Sequence, residues 1–156
     1  MRIISGIYKG KSISFLKSKI TRPLKDSVKE NIFNIINHSN LLNIKLDNSN
    51  ILDLYSGTWS FGIECISRGA KKVTFVEKDH YAIEILKKNL ITLSIEDKTS
   101  MINDKIENYL NIREKEKFNI IFLDPPFAEN KFINEIKLIK KNKIYYENHL
   151  IIIHRE

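Results

Sequence analysis

The chain is poor in the residues that staple, brake or anchor a protein. It has one cysteine, Cys65, so no disulfide can close within it, and a reducing, cytoplasmic setting fits. One cysteine and four scattered histidines give no ligand spacing for a metal, and none is expected. No apolar run is long enough to cross a bilayer. The start, Met1-Arg2-Ile3-Ile4-Ser5-Gly6, lacks the apolar core and cleavage site of a signal peptide. Prolines number three and glycines five in 156 residues, so each is a marker to be explained. Acid is scarcer than base: 19 Asp and Glu against 26 Lys and Arg leave a net charge of +7. That balance favours an acidic partner, nucleic acid before an anionic membrane. There is no internal repeat and no low-complexity tail. The length suits one domain, 1–156, with a core large enough to fold alone, and a monomer is expected.

Two of the five glycines fall in the stretch around which the chain is organised, Ile51-Leu52-Asp53-Leu54-Tyr55-Ser56-Gly57-Thr58-Trp59-Ser60-Phe61-Gly62. An apolar, β-branched run ends at Gly57, and Gly62 opens an amphipathic segment. This is the form of a strand, a tight turn and a helix start, where glycines let the backbone approach a ligand and free N–H groups point at it. A second strand, Lys72–Glu77, ends on an acid about 20 residues past Gly57, the spacing at which a carboxylate can take ribose hydroxyls.

From Ile51 onward strands and helices alternate. The expected elements are strand Ile51–Tyr55, helix Gly62–Arg68 closed by Gly69, strand Lys72–Glu77 and helix His80–Leu93. Strand Thr99–Asn103, helix Lys105–Asn111, strand Phe118–Leu123, helix Phe132–Lys140 and strand His149–His154 follow. Such alternation predicts an α/β fold, a mainly parallel sheet with helices on both faces. Ligands of such sheets bind beyond the carboxyl ends of the strands, where Gly57, Glu77, Asp104 and Asp124 all fall. Cys65 sits on the apolar face of its helix and reads as packing, not as a nucleophile.

Ahead of this core, residues 1–22 read as a basic β-hairpin arm, with strands Arg2–Ile4 and Lys11–Phe15. Arg2, Lys9, Lys11 and Arg22 are candidate phosphate contacts, with Tyr8 and Phe15 as aromatic surface, a combination that suits RNA. Residues 23–50 hold a helix over Asp26–Ile36, with Val28, Ile32, Phe33, Ile35 and Ile36 as its apolar face, and then a polar linker with a short helical turn.

The last two prolines stand together in Asp124-Pro125-Pro126-Phe127. Prolines cannot donate to a sheet, so the apolar strand before them must stop. A stiff turn that offers a carboxylate and a carbonyl can accept two hydrogen bonds from one amino group, and an adjacent Phe can stack on a flat ring. Together they can seat a nucleobase by its exocyclic amine. A strand terminator with Asp124 as a cap is the structural alternative.

With these residues in view, the chain resembles the S-adenosylmethionine-dependent methyltransferases, and within them the family that methylates the guanine N2 amine of small-subunit ribosomal RNA. The resemblance rests on Arg2-Ile3-Ile4-Ser5-Gly6 with Lys9-Gly10-Lys11, on Arg22 to Ile36, and on Leu52 to Gly57 with Gly62-Ile63-Glu64 and Ser67-Arg68-Gly69-Ala70. The Asp-Pro-Pro-Phe turn is shared more widely among amino-methylating enzymes. The resemblance implies a Rossmann-like class I methyltransferase fold with S-adenosyl-L-methionine as cofactor. The partner would be ribosomal RNA or a small-subunit assembly intermediate. It places Asp53, Tyr55, Ser56, Gly57, Gly62, Glu77, Lys78 and Asp104 around the cofactor, with Arg22 near its carboxylate. Asp124, Pro125, Pro126 and Phe127 would seat the target base. Two departures stand out. Trp59 occupies a place where the family usually has Gly, and Leu24 replaces a usual Thr. The family pattern also adds two strands as an antiparallel edge after the fifth strand, which this sequence does not supply; the strand His149–His154 is therefore expected at an edge. Methylation of another amine, such as adenine N6, and a non-catalytic RNA-binding role remain as alternatives.

Overall fold

In the computed structural model, residues 1–15, 24–39, 42–57, 61–112, 116–126 and 130–155 are described. Ten elements follow one another: α1 (Asp26–His38), β1 (Asn50–Leu54), α2 (Phe61–Ser67), β2 (Lys72–Glu77), α3 (His80–Leu93), β3 (Thr99–Asn103), α4 (Ile106–Asn111), β4 (Phe118–Leu123), α5 (Phe132–Asn142) and β5 (Tyr145–Ile153). One 3-10 turn, Glu96–Lys98, leads into β3. The helices start and stop for local reasons. Asp79 caps α3 by accepting from the N–H groups of Tyr81 and Ala82 at 2.8 and 3.2 Å. Ser94 and Lys143 end α3 and α5 in the left-handed conformation.

The five strands form one sheet in the order β3-β2-β1-β4-β5, every pair parallel. The order reverses at β1, which lies between β2 and β4, and that reversal opens a crevice at the carboxyl ends of the strands. Alternate residues of the strands feed two cores. Ile51, Val73, Phe75, Ile120 and Phe122 join the arm, α1, α2 and α3 on one face. Leu52, Leu54, Val76, Ile121 and Leu123 join α4 and α5 on the other. A stack crosses the first core: the Phe33 and Phe61 rings lie 5.0 Å apart and the Phe61 and Phe122 rings 4.4 Å apart.

Several expectations need correction. The two arm strands reduce to one antiparallel bridge, Arg2 to Ser12. Among its described residues the linker holds a turn but no helix. In α1, Lys29 is buried against Asp26 at 2.8 Å, whereas Ile35 is 58% exposed. The last strand begins at Tyr145, four residues before the expected start. Glu147 and Asn148 break its apolar pattern, but an edge strand tolerates them, and a register shift between Phe118 and Ile120 absorbs the extra residues.

Gly62 also changes meaning. A Cβ there would lie 2.4 Å from Phe75 Cε1 and 2.6 Å from Val73 Cγ1, so the glycine lets α2 settle on β2. Both neighbours are fully buried. Gly62→Ala is therefore expected to lower stability by about 1–3 kcal/mol, through overpacking. Urea denaturation checks this, and an unchanged midpoint would show that the β2 side chains yield.

Candidate active site at the strand ends

The turn after β1 is held from beneath. Asp53 is 1% exposed, and its Oδ2 accepts from the Gly62 N–H at 2.8 Å, which ties the strand to the first turn of α2. Asp53 and Gly62 thus support the turn from within the core and do not form its outer surface. Tyr55 takes a left-handed φ of 61°, a costly choice for a bulky residue. Its N–H donates to the Val76 carbonyl at 3.1 Å, and its hydroxyl to Glu135 Oε1 at 2.6 Å. That second bond joins the β1 turn to α5. Gly57 has φ 59°, a Cβ there would meet no described atom closer than the Tyr55 carbonyl oxygen at 4.0 Å, and its N–H donates to Glu77 Oε2 at 3.0 Å.

Glu77 also accepts from the Asp79 N–H through Oε1 at 2.8 Å. Its carboxylate therefore bridges the turns after β1 and β2, with acceptor sites left over, since a carboxylate offers about four. Asn103, the last residue of β3, donates to the carbonyls of Glu77 and Lys78 at 2.9 and 3.2 Å. Asp104 Oδ1 accepts from the Lys105 N–H at 2.6 Å and from Asn108 Nδ2 at 2.7 Å.

These turns border a cleft of about 300 Å³ lined by Tyr55, Val76, Glu77, Lys78, Lys105 to Asn108, Lys131 and Glu135. Of the predicted cofactor residues it gathers Tyr55, Glu77 and Lys78. Ser56, Gly57 and Asp104 sit on the adjoining turns without lining it. Asp124 and Pro125 follow β4, next to β1 in the sheet; Pro125 is buried and Pro126 exposed. Arg22, Trp59 and Phe127 lie outside the described residues.

A family model described as conserved hypothetical protein 95 matches residues 1–156. The ribosomal RNA small subunit methyltransferase D of Haemophilus influenzae is 37% identical across 100% of this chain and 79% of its own length. The chain belongs to the methyltransferase D family. Bacillus subtilis YlbH, named as an rRNA methyltransferase, is 36% identical across 97% of this chain and 80% of its own. The solved Escherichia coli protein yhhF, named as a methyltransferase, superposes with a TM-score of 0.85 at 28% identity, covering 100% of this chain and 82% of that one.

The residues of this methyltransferase D relative fit an S-adenosylmethionine. Ser56 is 4% exposed, and its buried hydroxyl has no hydrogen-bond partner among the described residues, a costly state that a ligand would relieve. Next to it, Gly57 carries no Cβ on the turn, and Glu77 presents its carboxylate at the cleft wall. Among the described residues no group of three or more His, Cys, Asp or Glu could hold a metal.

The signature residues of α2 do something else: they dock the arm. Glu64, 3% exposed, accepts from the N–H groups of Ile4 and Ser5 at 3.1 and 2.9 Å and from Arg68 Nε at 3.0 Å. The Ser67 hydroxyl accepts from the Tyr8 N–H at 3.0 Å and donates to the Ser5 carbonyl at 2.6 Å. Gly6 has φ 82°, and a Cβ there would meet the Ser67 carbonyl oxygen. Arg68 lies over the Phe33 ring at 4.1 Å, so its charge is used inside the protein. Further along, Asn89 of α3 exchanges two hydrogen bonds with the Ser14 backbone, at 2.9 and 2.8 Å. Arg2, Lys9 and Lys11 remain exposed on the docked arm. Cys65 is fully buried, and burial, followed by Asp53 and Glu64, pushes its thiol well above the ordinary range. It is packing, as the helical spacing predicts.

Proposed function

We propose that this chain transfers the methyl group of S-adenosylmethionine to the N2 amine of a guanine in small-subunit ribosomal RNA. The observation that carries the reading is the placement of the Asp124-Pro125 turn. It follows β4, and β4 pairs with β1, whose turn would receive the cofactor. The amine as target comes from the acceptor chemistry of that turn. The small-subunit RNA comes from the names of the relatives, and the guanine from the family resemblance of the arm.

The bound cofactor supplies a sulfonium methyl group. Asp124, whose side chain is 33% exposed, accepts a hydrogen bond from the amine of the seated base. That contact favours a tetrahedral nitrogen and aims its lone pair, which is otherwise delocalised into the ring. The same carboxylate is placed to take the proton that the nitrogen sheds. Asp53, Glu77 and Asn103 act before any reaction, by holding the turns that receive the cofactor. Arg2, Lys9 and Lys11 neutralise RNA phosphates along the arm.

Incubation of small-subunit RNA and assembly intermediates with methyl-labelled cofactor, followed by nuclease digestion, tests the reading. Label in N2-methylguanosine is expected. Label in N6-methyladenosine would transfer the site to the other amine, and RNA binding without cofactor binding would leave only the binding role. The arm makes its own prediction. RNA affinity should fall steeply with salt, and each of Lys9→Ala and Lys11→Ala should flatten the log–log slope by about 0.7–0.9. Filter binding across a salt series checks this; unchanged slopes would remove the arm from the RNA contact.

A further inference from the structure

Asp124 does not stand alone at the end of β4. The register that pairs Leu123 with Ile153 sets Asp124 and His154 side by side, one residue beyond both strands. The His154 N–H donates to the Leu123 carbonyl at 2.9 Å, so sheet pairing holds its backbone. Its Nδ1 meets Asp124 Oδ1 at 2.8 Å, with the imidazole only 16% exposed. The next residue clips the same end of β5 to the start of α5. Arg155 lies over the Phe132 ring at 4.7 Å and donates to Asn130 Oδ1 at 3.4 Å. The tail of β5 therefore grips both ends of the segment that runs from Asp124 to Asn130.

A carboxylate has no proton to give, so in the neutral ring Nδ1 must carry the hydrogen that bridges the pair. An aspartate side chain can otherwise turn about a broad terminal torsion. Its use as an acceptor depends on angle, and a misplaced group loses much of its effect. A donor anchored by the sheet removes that freedom. We infer that His154 is a positioning residue: its Nδ1–H holds the Asp124 carboxylate in the orientation that receives the target amine. The inference rests on the function proposed above.

Two measurements test it. The chain has four histidines, so the His154 ring can be identified by its loss in His154→Asn, and 15N spectra then report its tautomer. The neutral ring is expected as Nδ1–H in the native chain and should move toward Nε2–H in Asp124→Ala. In steady-state kinetics, His154→Ala should lower kcat about ten- to a hundredfold and leave both KM values within about twofold. His154→Asn, whose amide nitrogen falls near the place of Nδ1, should recover most of the rate. A contact that only braces the edge strand would instead lower thermal stability and leave kcat alone. Native kcat in His154→Ala, with an active native chain, overturns the positioning role and leaves the methyltransferase reading intact. A native chain that methylates no small-subunit RNA overturns that reading, and this inference falls with it.

Discussion

Asp124→Ala is expected to lower methyl transfer at least about a thousandfold while the affinity for S-adenosylmethionine changes less than about twofold. The first figure combines two roles of one carboxylate. Loss of a positioned group that stabilises charge in the transition state costs about 10²–10³ in rate. Loss of a positioned base costs about 10²–10⁴. The two overlap, since the same oxygen atoms serve both, so they do not multiply in full. The second figure follows from location. Asp124 does not line the cleft beside Tyr55 and Glu77, and it follows β4, not the strands whose turns border that cleft.

The side chain of Asp124 is one-third exposed, so its truncation should not unfold the chain. Asp124→Asn separates the roles further. It keeps one carbonyl acceptor but cannot take a proton, so its rate should fall between the native and alanine values. Labelled-methyl assays with calorimetric titration of the cofactor check both variants. Native turnover in Asp124→Ala would sink the assignment of the turn, and loss of cofactor binding would move Asp124 into the cofactor site.

The architecture was legible because its signals are local and redundant. Each inner strand is a short apolar run, β2, α3, β3 and β4 match their expected limits to the residue, and the acids at the strand ends follow from the topology rule. What was not legible depends on contacts between distant residues. The Tyr55–Glu135 bond joins positions 80 residues apart, and neither residue is unusual in its own segment. The packing role of Gly62 is equally hidden, since a glycine in such a turn suggests a ligand, and only the packed structure shows Phe75 and Val73 filling the space of a Cβ. His154 shows the same positional signal, and its contact with Asp124 appears only in the folded chain. It stands at the carboxyl end of a parallel strand, as Glu77 and Asp124 do.

The second large effect is expected far from the chemistry. Glu64→Ala should destabilise the chain by about 3–5 kcal/mol, the range for breaking a buried ion pair from one side. Its carboxylate is 3% exposed and serves three donors: two backbone N–H groups of the arm and the Arg68 guanidinium. Truncation leaves all three without their acceptor, and Arg68 keeps its charge over the Phe33 ring at 14% side-chain exposure. At about 2–4 °C per kcal/mol for a chain of this size, Tm should fall on the order of 10 °C. Glu64→Gln should cost less, since its amide oxygen can still accept from one arm N–H, although its NH₂ then faces a donor. Ser67→Ala removes the parallel contact and should cost about 1 kcal/mol. Hydrogen exchange separates arm release from general weakening. The Ile4 and Ser5 amides should lose protection in Glu64→Ala at denaturant concentrations where β1 and β4 stay protected, and affinity for RNA should fall with them. If those two amides stay protected and the Tm holds, the arm is not docked through Glu64, and the α2 signature must be explained by the cofactor turn after all.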